Sequence, residues 1–280
     1  MIKAVFFDLD GTLLTSDKKI NASAREAIQK CRAKGIKMFF ATARSPRLDQ
    51  TLLWTKEDFA LFDGAIYANG ALILLDGKET YFHIDPEAVR RVLESVSVFD
   101  QVHLSLHTPG EGYAFNFPPV DSMEAGWGLS GARILPINDE TVVDTVKILV
   151  FYDHLTDASK PLPEELVQRI QKECGHLANV YVTDAGKTVQ LSSLSAGKKN
   201  AIEAVRETLS IERDEVCVFG DDVNDLEMIA FYKNSVAMGN GTEEIKHHAG
   251  FVTGKNDEDG IACALERLMN DQLCFTEGRT

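Results

Sequence analysis

Short, uninterrupted apolar runs alternate with amphipathic stretches at both ends of this 280-residue chain, and that rhythm constrains the fold more than any other feature. Residues 2–7 read as a strand, 22–34 as a helix, 37–41 as a second strand and 65–68 as a third. A helix is predicted from Pro46, with Ser45 as its N-cap and the proline in its first turn. Towards the other end, helix 198–209, strand 216–219, helix 224–231 and helix 260–269 repeat the pattern. Strands as apolar as Val-Cys-Val-Phe need cover on both faces, and strands that alternate with helices pair in parallel. The expected core is α/β, a Rossmann-like doubly wound parallel sheet.

The middle of the chain follows a different period. Val102, Leu104 and Leu106 alternate with polar residues, and turns are marked by Pro109-Gly110 and Pro118-Pro119. Half-buried antiparallel strands are predicted there, with helices 86–96 and 162–173 covering one face. The expected division is a core from residues 1–81 and 191–280, with an α+β insert at 82–190.

Charge narrows the partners. The chain carries 43 acidic against 29 basic residues, a formal net charge of −14. Such a surplus repels phosphate backbones and anionic lipid, so neither nucleic acid nor a membrane is expected as a partner. An anionic small molecule stays open, because a site answers to charges within roughly 8 Å, the Debye length in the cell. No stretch approaches the roughly 20 apolar residues that span a bilayer, and Asp8 and Asp10 interrupt the first apolar run, which is not a signal peptide. Cys31, Cys174, Cys217, Cys263 and Cys274 are scattered without a CxxC pair, as expected for reduced thiols in a cytoplasmic protein. His247 and His248 are adjacent, so on a helix they would diverge rather than share a metal.

Two acidic knots carry the chemistry. Asp8-Leu9-Asp10-Gly11-Thr12 follows the first strand, and Gly220-Asp221-Asp222-Val223-Asn224-Asp225 follows the strand at 216–219. Alternation in extended chain puts Asp8 and Asp10 on one side at the carboxyl end of a strand, where open α/β sheets bind ligands. Gathered carboxylates need a cation or a shared proton, and hard oxygen donors suit Mg²⁺.

These knots, together with Ala41-Thr42-Ala43-Arg44 and Lys198, resemble the four ordered motifs of the haloacid dehalogenase superfamily phosphatases, and more narrowly the Cof-type subfamily with its inserted α/β cap. Asn69-Gly70-Ala71, Val236-Ala237-Met238-Gly239-Asn240 and Asn256-Asp257-Glu258-Asp259-Gly260 agree with that resemblance. It implies a Mg²⁺-dependent phosphatase of small phosphorylated metabolites, sugar phosphates foremost, with the insert as a specificity cap. It also implies the roles. Asp8 would be the nucleophile that forms an aspartyl-phosphate, and Asp10 the general acid and base, with a raised pKa. Lys198 would neutralise phosphate, with Lys199 a solvated neighbour. Mg²⁺ would be held by Asp8, the Asp10 carbonyl, Asp221 and Asp225. Leu9, Thr42, Ala43, Arg44, Asn69, Gly70 and Asn224 complete the substrate-binding set, although Ala43 stands where the family commonly has glycine. In the insert, Trp127, Tyr113, Phe115, Phe117 and Arg133 are further candidates for substrate contact. The core motifs fit a phosphomutase, or a phosphatase of nucleotide, flavin or pyridoxal phosphates, as well; a non-catalytic phospholigand sensor fits them less. A monomer or weak homo-oligomer is expected.

Overall fold

Four consecutive buried residues, Ala-Val-Phe-Phe, make β1 (Ala4–Phe7) a strand with no solvent face. In the computed structural model, which describes residues 1–119, 128–152 and 160–270, the chain continues through α1 (Ala22–Ala33), β2 (Lys37–Ala41), α2 (Leu48–Thr51), α3 (Lys56–Phe59), β3 (Gly64–Tyr67), β4 (Leu72–Leu75) and β5 (Lys78–Tyr81). Next come α4 (Pro86–Ser97), β6 (Val102–Thr108), β7 (Gly112–Phe115), β8 (Arg133–Leu135), α5 (Asp139–Val143), β9 (Lys147–Tyr152), α6 (Glu164–Cys174), β10 (Ala178–Thr183) and β11 (Thr188–Ser193). The last elements are α7 (Lys198–Thr208), β12 (Val216–Gly220), α8 (Leu226–Phe231), β13 (Asn234–Ala237), α9 (Glu243–His248), β14 (Phe251–Val252) and α10 (Gly260–Met269).

Met1–Thr80 and the chain from Lys198 onward form one compact unit. Its sheet runs β14-β13-β12-β1-β2-β3-β4-β5, parallel from β14 to β3, with β4 antiparallel to β3. Phe7 pairs in register with Phe219 on one side and Phe40 on the other, and the Phe7 and Phe219 rings lie 5.0 Å apart. α1 buries Ala24, Ala27, Ile28 and Cys31, the i, i+3, i+4, i+7 stripe of an amphipathic helix. It ends where Gly35 takes φ +82: the Gly35 N–H reaches Arg32 O and the Ile36 N–H reaches Cys31 O, closing the last turn. From β1 the connections run to β2 and β3 on one side and to β12, β13 and β14 on the other. The reversal between β1 and β12 opens a crevice at their carboxyl ends, and both acidic knots sit there.

Tyr81–Gly197 form the second unit. Its six strands run β10-β11-β9-β6-β7-β8, antiparallel except for β7 with β8. α4 and α6 pack with the alternate residues Leu104, Leu106, Ile148 and Val150 in one apolar cluster. On the opposite face Tyr113, Leu129 and Phe151 form a smaller cluster with Phe115 and Phe117.

Two local expectations are corrected. The helix predicted from Pro46 starts at Leu48 and Ser45 does not cap it, because the Arg47 N–H closes back onto Ser45 O in a tight turn around the proline. The helix predicted from Asn224 starts at Leu226, because Asp222 caps a preceding 3₁₀ turn, Val223–Asp225. The chain leaves the second unit after Gly197, past the end of β11.

Candidate active site

Asp8 leaves β1 with its N–H still bonded to Phe219 O, 3.0 Å away on β12, so the sheet ladder fixes where its carboxylate starts. Gly11 then turns the chain at φ +83, and any side chain there would run into the Asp221 carboxylate. That close approach lets Thr12 Oγ1 donate to Asp221 Oδ1 at 2.7 Å, tying the first acidic loop to the second.

Lys198, the first residue of α7, projects between them. Its Nζ donates to Asp8 Oδ1 at 2.5 Å and to Asp225 Oδ1 at 2.6 Å. Lys198 is 3% exposed, Asp8 5% and Asp225 0%, so these are interior charges. Asp225 Oδ2 accepts the N–H groups of Asp221 (3.1 Å) and Asp222 (3.3 Å), so the side chain that holds Lys198 also shapes the second loop. Asp8, Asp221 and Asp225 each offer a carboxylate oxygen within 4.8 Å of the others. Three carboxylates face one ammonium, and the proton affinities record the surplus. Burial, opposed by Lys198 and reinforced by Asp225 and Asp221, pushes the Asp8 carboxyl well above the usual range. Burial and Asp225 push Asp221 up to about 7 against the Thr12 hydrogen bond and Lys198. Burial disfavours the Lys198 charge, but Asp225 and Asp8 outweigh it and hold its proton above the ordinary range.

Asp10 behaves differently from expectation. Arg44 grips it with two hydrogen bonds, Nε to Oδ2 at 2.6 Å and Nη2 to Oδ1 at 2.7 Å, and Lys18 Nζ adds a third at 2.7 Å. Burial pushes the Asp10 carboxyl up, but hydrogen bonds and charge from Arg44 and Lys18 prevail and hold it below the usual range. The raised pKa expected for Asp10 is therefore overturned: the neighbours that face it are cations. Nothing in the sequence pointed to Lys18, which takes φ +59 in the loop after the motif.

The other candidates fall around these two groups. Thr42 is buried at the end of β2, and its Oγ1 accepts the Arg44 N–H at 3.1 Å. Ala43 lies between them in the bend. Asn69 is buried at φ +54 after β3, its N–H bonded to Thr42 O and its Oδ1 accepting from Asn224 Nδ2 at 3.2 Å. Gly70 follows it in the same turn. Leu9 is a core residue, and its carbonyl accepts the N–H of Leu14 at 2.8 Å. Lys199 is not a solvated lysine: it pairs with Glu227 at 2.8 Å and lies over the Phe231 ring.

In the second unit, Tyr113, Phe115 and Phe117 pack on one another, and Arg133 donates to the carbonyls of Pro109 and Gly110. Trp127 and Cys274 lie outside the described residues. Cys31, Cys174 and Cys217 are buried thiols and Cys263 is exposed.

The Asp8, Asp221 and Asp225 donor set fits a hard divalent cation: all are oxygen ligands, mutually close, with a negative surplus that an ion would relieve. Asp225, with both oxygens on protein donors, suits a place behind the other two.

Comparisons with known proteins identify relatives along nearly the whole chain. A family model described as haloacid dehalogenase-like hydrolase matches residues 5–265. The Bacillus subtilis protein YkrA is 30% identical over 95% of this chain and 97% of its own length. YwtE of the same bacterium, named 5-amino-6-(5-phospho-D-ribitylamino)uracil phosphatase, is 28% identical over 97% of this chain and 99% of its own. A solved structure described as a subclass IIB sugar phosphatase of the haloacid dehalogenase superfamily superposes with a TM-score of 0.76, covering 95% of this chain and 99% of that one at 24% identity.

Proposed function

This chain belongs to the haloacid dehalogenase-like hydrolase family, a phosphatase of small phosphorylated substrates, and on that premise we propose that it hydrolyses sugar-type phosphate monoesters with Mg²⁺ through a phosphoryl group carried on Asp8. The observation that carries this reading is the buried Asp8–Lys198–Asp225 arrangement beside Asp221. The ribityl phosphate in the name of YwtE and the sugar phosphatase description of the structural neighbour support a phosphate on a polyhydroxylated carbon chain.

The proposed reaction runs in two displacements. An Asp8 carboxylate oxygen attacks phosphorus, the bond from phosphorus to the alcohol oxygen breaks, and Asp10 gives that oxygen its proton. Asp10 then takes a proton from water as the water oxygen attacks phosphorus and the bond from phosphorus to the Asp8 oxygen breaks, which frees inorganic phosphate and restores the Asp8 carboxylate. Lys198 orients the nucleophile and offsets charge on the phosphoryl oxygens as a compact cation. Asp8, Asp221 and the Asp10 carbonyl would hold Mg²⁺, with Asp225 behind them; the ion supplies charge neutralisation between a carboxylate and a phosphate dianion.

Asp10 needs a proton for the first displacement, and Arg44 and Lys18 hold it ionised in the free protein. A phosphate dianion beside Thr42 competes for the Arg44 guanidinium. As Arg44 turns to the phosphate, Asp10 loses its strongest pair of hydrogen bonds and its proton affinity rises. The site thus arms its acid when an anion arrives.

The direct experiment incubates purified protein with Mg²⁺ and a panel of hexose, pentose, nucleotide, flavin and pyridoxal phosphates, and measures inorganic phosphate. Release from sugar-type monoesters, lost in Asp8→Asn, is expected. No release from any member, or full turnover by Asp8→Asn, contradicts the reading.

A further inference from the structure

After Asp8 the chain reverses through Gly11 to Leu14, and carbonyls of that turn are taken by two asparagine side chains from 229 and 242 residues away. Asn240 Nδ2 donates to Gly11 O at 2.8 Å and Asn256 Nδ2 donates to Leu14 O at 2.8 Å. The two are linked in series, because Asn240 Oδ1 accepts the Asn256 N–H at 3.0 Å. The segment that carries Asn240 also holds the second acidic loop. The Met238 N–H bonds to Gly220 O at 3.1 Å, the Thr242 N–H bonds to Asp221 O at 3.0 Å, and a side chain at position 241 would press on the Asp221 backbone. One stretch, 238–242, is therefore bonded by its backbone to the Asp221 loop and by the Asn240 amide to the Asp8 and Asp10 loop.

We propose that Asn240 and Asn256 are positioning residues that set the separation of these two acid-bearing loops, an inference that rests on the phosphatase reading above. They act through backbone carbonyls rather than through the carboxylates. The residue type follows from the demand. Asn240 must donate to one carbonyl and accept from one N–H at the same time, which a primary amide does and neither alanine nor aspartate does. Phosphoryl transfer depends on placement, and a misplacement of about 1 Å can cost on the order of 10²-fold.

The test compares wild type, Asn240→Asp, Asn240→Ala and Asn256→Ala. Asn240→Asp keeps the size and the acceptor for Asn256 but turns a carboxylate oxygen towards Gly11 O. Two readouts are taken: steady-state hydrolysis of 4-nitrophenyl phosphate with Mg²⁺, and amide hydrogen exchange of peptides covering residues 8–16 without Mg²⁺. In variants that keep the wild-type circular dichroism, kcat is expected to fall about tenfold or more with KM within about threefold. The Leu13 and Leu14 amides, bonded to Asp8 O and Leu9 O, lose protection with it. A folded variant with kcat within about twofold of wild type, or with unchanged protection at 8–16, overturns the proposal. Should Asn240→Ala not fold, Asn240→Asp and Asn256→Ala carry the same comparison. If wild type hydrolyses no phosphate ester, the functional reading fails, and the exchange data alone decide whether the two asparagines hold the turn.

Discussion

The Lys198 ammonium lies 2.5 Å from Asp8 Oδ1, with both groups withdrawn from solvent. A cation held this way cannot be replaced by solvent when it is removed. Lys198→Met should lower kcat by on the order of 10²-fold or more, because both the nucleophile and the transferring group lose their fixed counter-charge. Lys198→Arg should not restore it, since a planar fork does not replace a point charge between two carboxylates. Stability should drop by about 3 kcal/mol in metal-free protein, measured by denaturant unfolding, and less at low pH, where the Asp8 carboxyl, pushed above the usual range by burial, is protonated.

Asp221 sets a pH dependence with a definite sign. Its folded pKa of about 7 lies above the ordinary 3.8, so between those values the folded state holds a proton that the unfolded state has lost. Stability from this group is present below pH 4 and declines as pH rises towards 7. Metal-free Asp221→Asn should therefore gain on wild type between pH 5 and pH 8, read as the difference in Tm. Mg²⁺ should raise the Tm of wild type more at pH 8 than at pH 5 and that of Asp221→Asn little at either. A Tm difference independent of pH counts against this assignment.

Asp10 as proton donor predicts a dependence on the leaving group. Asp10→Asn should lose on the order of 10²-fold or more in kcat/KM, which reports the first displacement, on an alkyl phosphate, whose alkoxide needs a proton, and markedly less in kcat/KM on 4-nitrophenyl phosphate. Arg44→Ala, which frees Asp10 from its two strongest contacts, should raise KM for both substrates. Equal losses of kcat/KM in Asp10→Asn on both substrates contradict the role given to Asp10.

Glu203 predicts stability without catalysis. It joins α7 to α8 by accepting from Arg206 through both nitrogens at 2.6 Å, from Tyr232 OH at 2.6 Å and from Arg213 at 3.1 Å. The Arg206 hydrogen bonds, against burial and with help from Tyr232 and Arg213, hold its carboxyl at about 2. That contribution is present above pH 4.5 and lost as pH falls towards 2. Glu203→Gln should cost about 2 kcal/mol at pH 7 and less at pH 3, with specific activity of the folded protein unchanged.

Much of this was legible from residue order, and the rest was not for identifiable reasons. Val-Cys-Val-Phe could only be a strand covered on both faces, and it placed Gly220 and Asp221 at a strand end beside β1. The juxtaposition of Lys198 with Asp8 came from motif order, since no local pattern brings together residues 190 apart. The electrostatics of Asp10 were misjudged because Arg44 and Lys18 reach it from a bend and a left-handed loop residue, where side-chain direction has no periodic signature. Ser45 misled because a proline two residues into a turn and a proline at a helix start look alike in sequence.

The central claim is that Asp8 carries the phosphoryl group. Its most direct test mixes Mg²⁺-loaded Asp10→Asn protein with 4-nitrophenyl phosphate, whose leaving group needs no proton, quenches in acid and maps the phosphoryl group by peptide mass spectrometry. Slowed release of the adduct should leave one hydroxylamine-sensitive phosphoryl group on the peptide containing Asp8, absent from the Asp8→Asn protein. Wild-type turnover with the phosphoryl group on another residue, or turnover that persists in Asp8→Asn, would contradict the account.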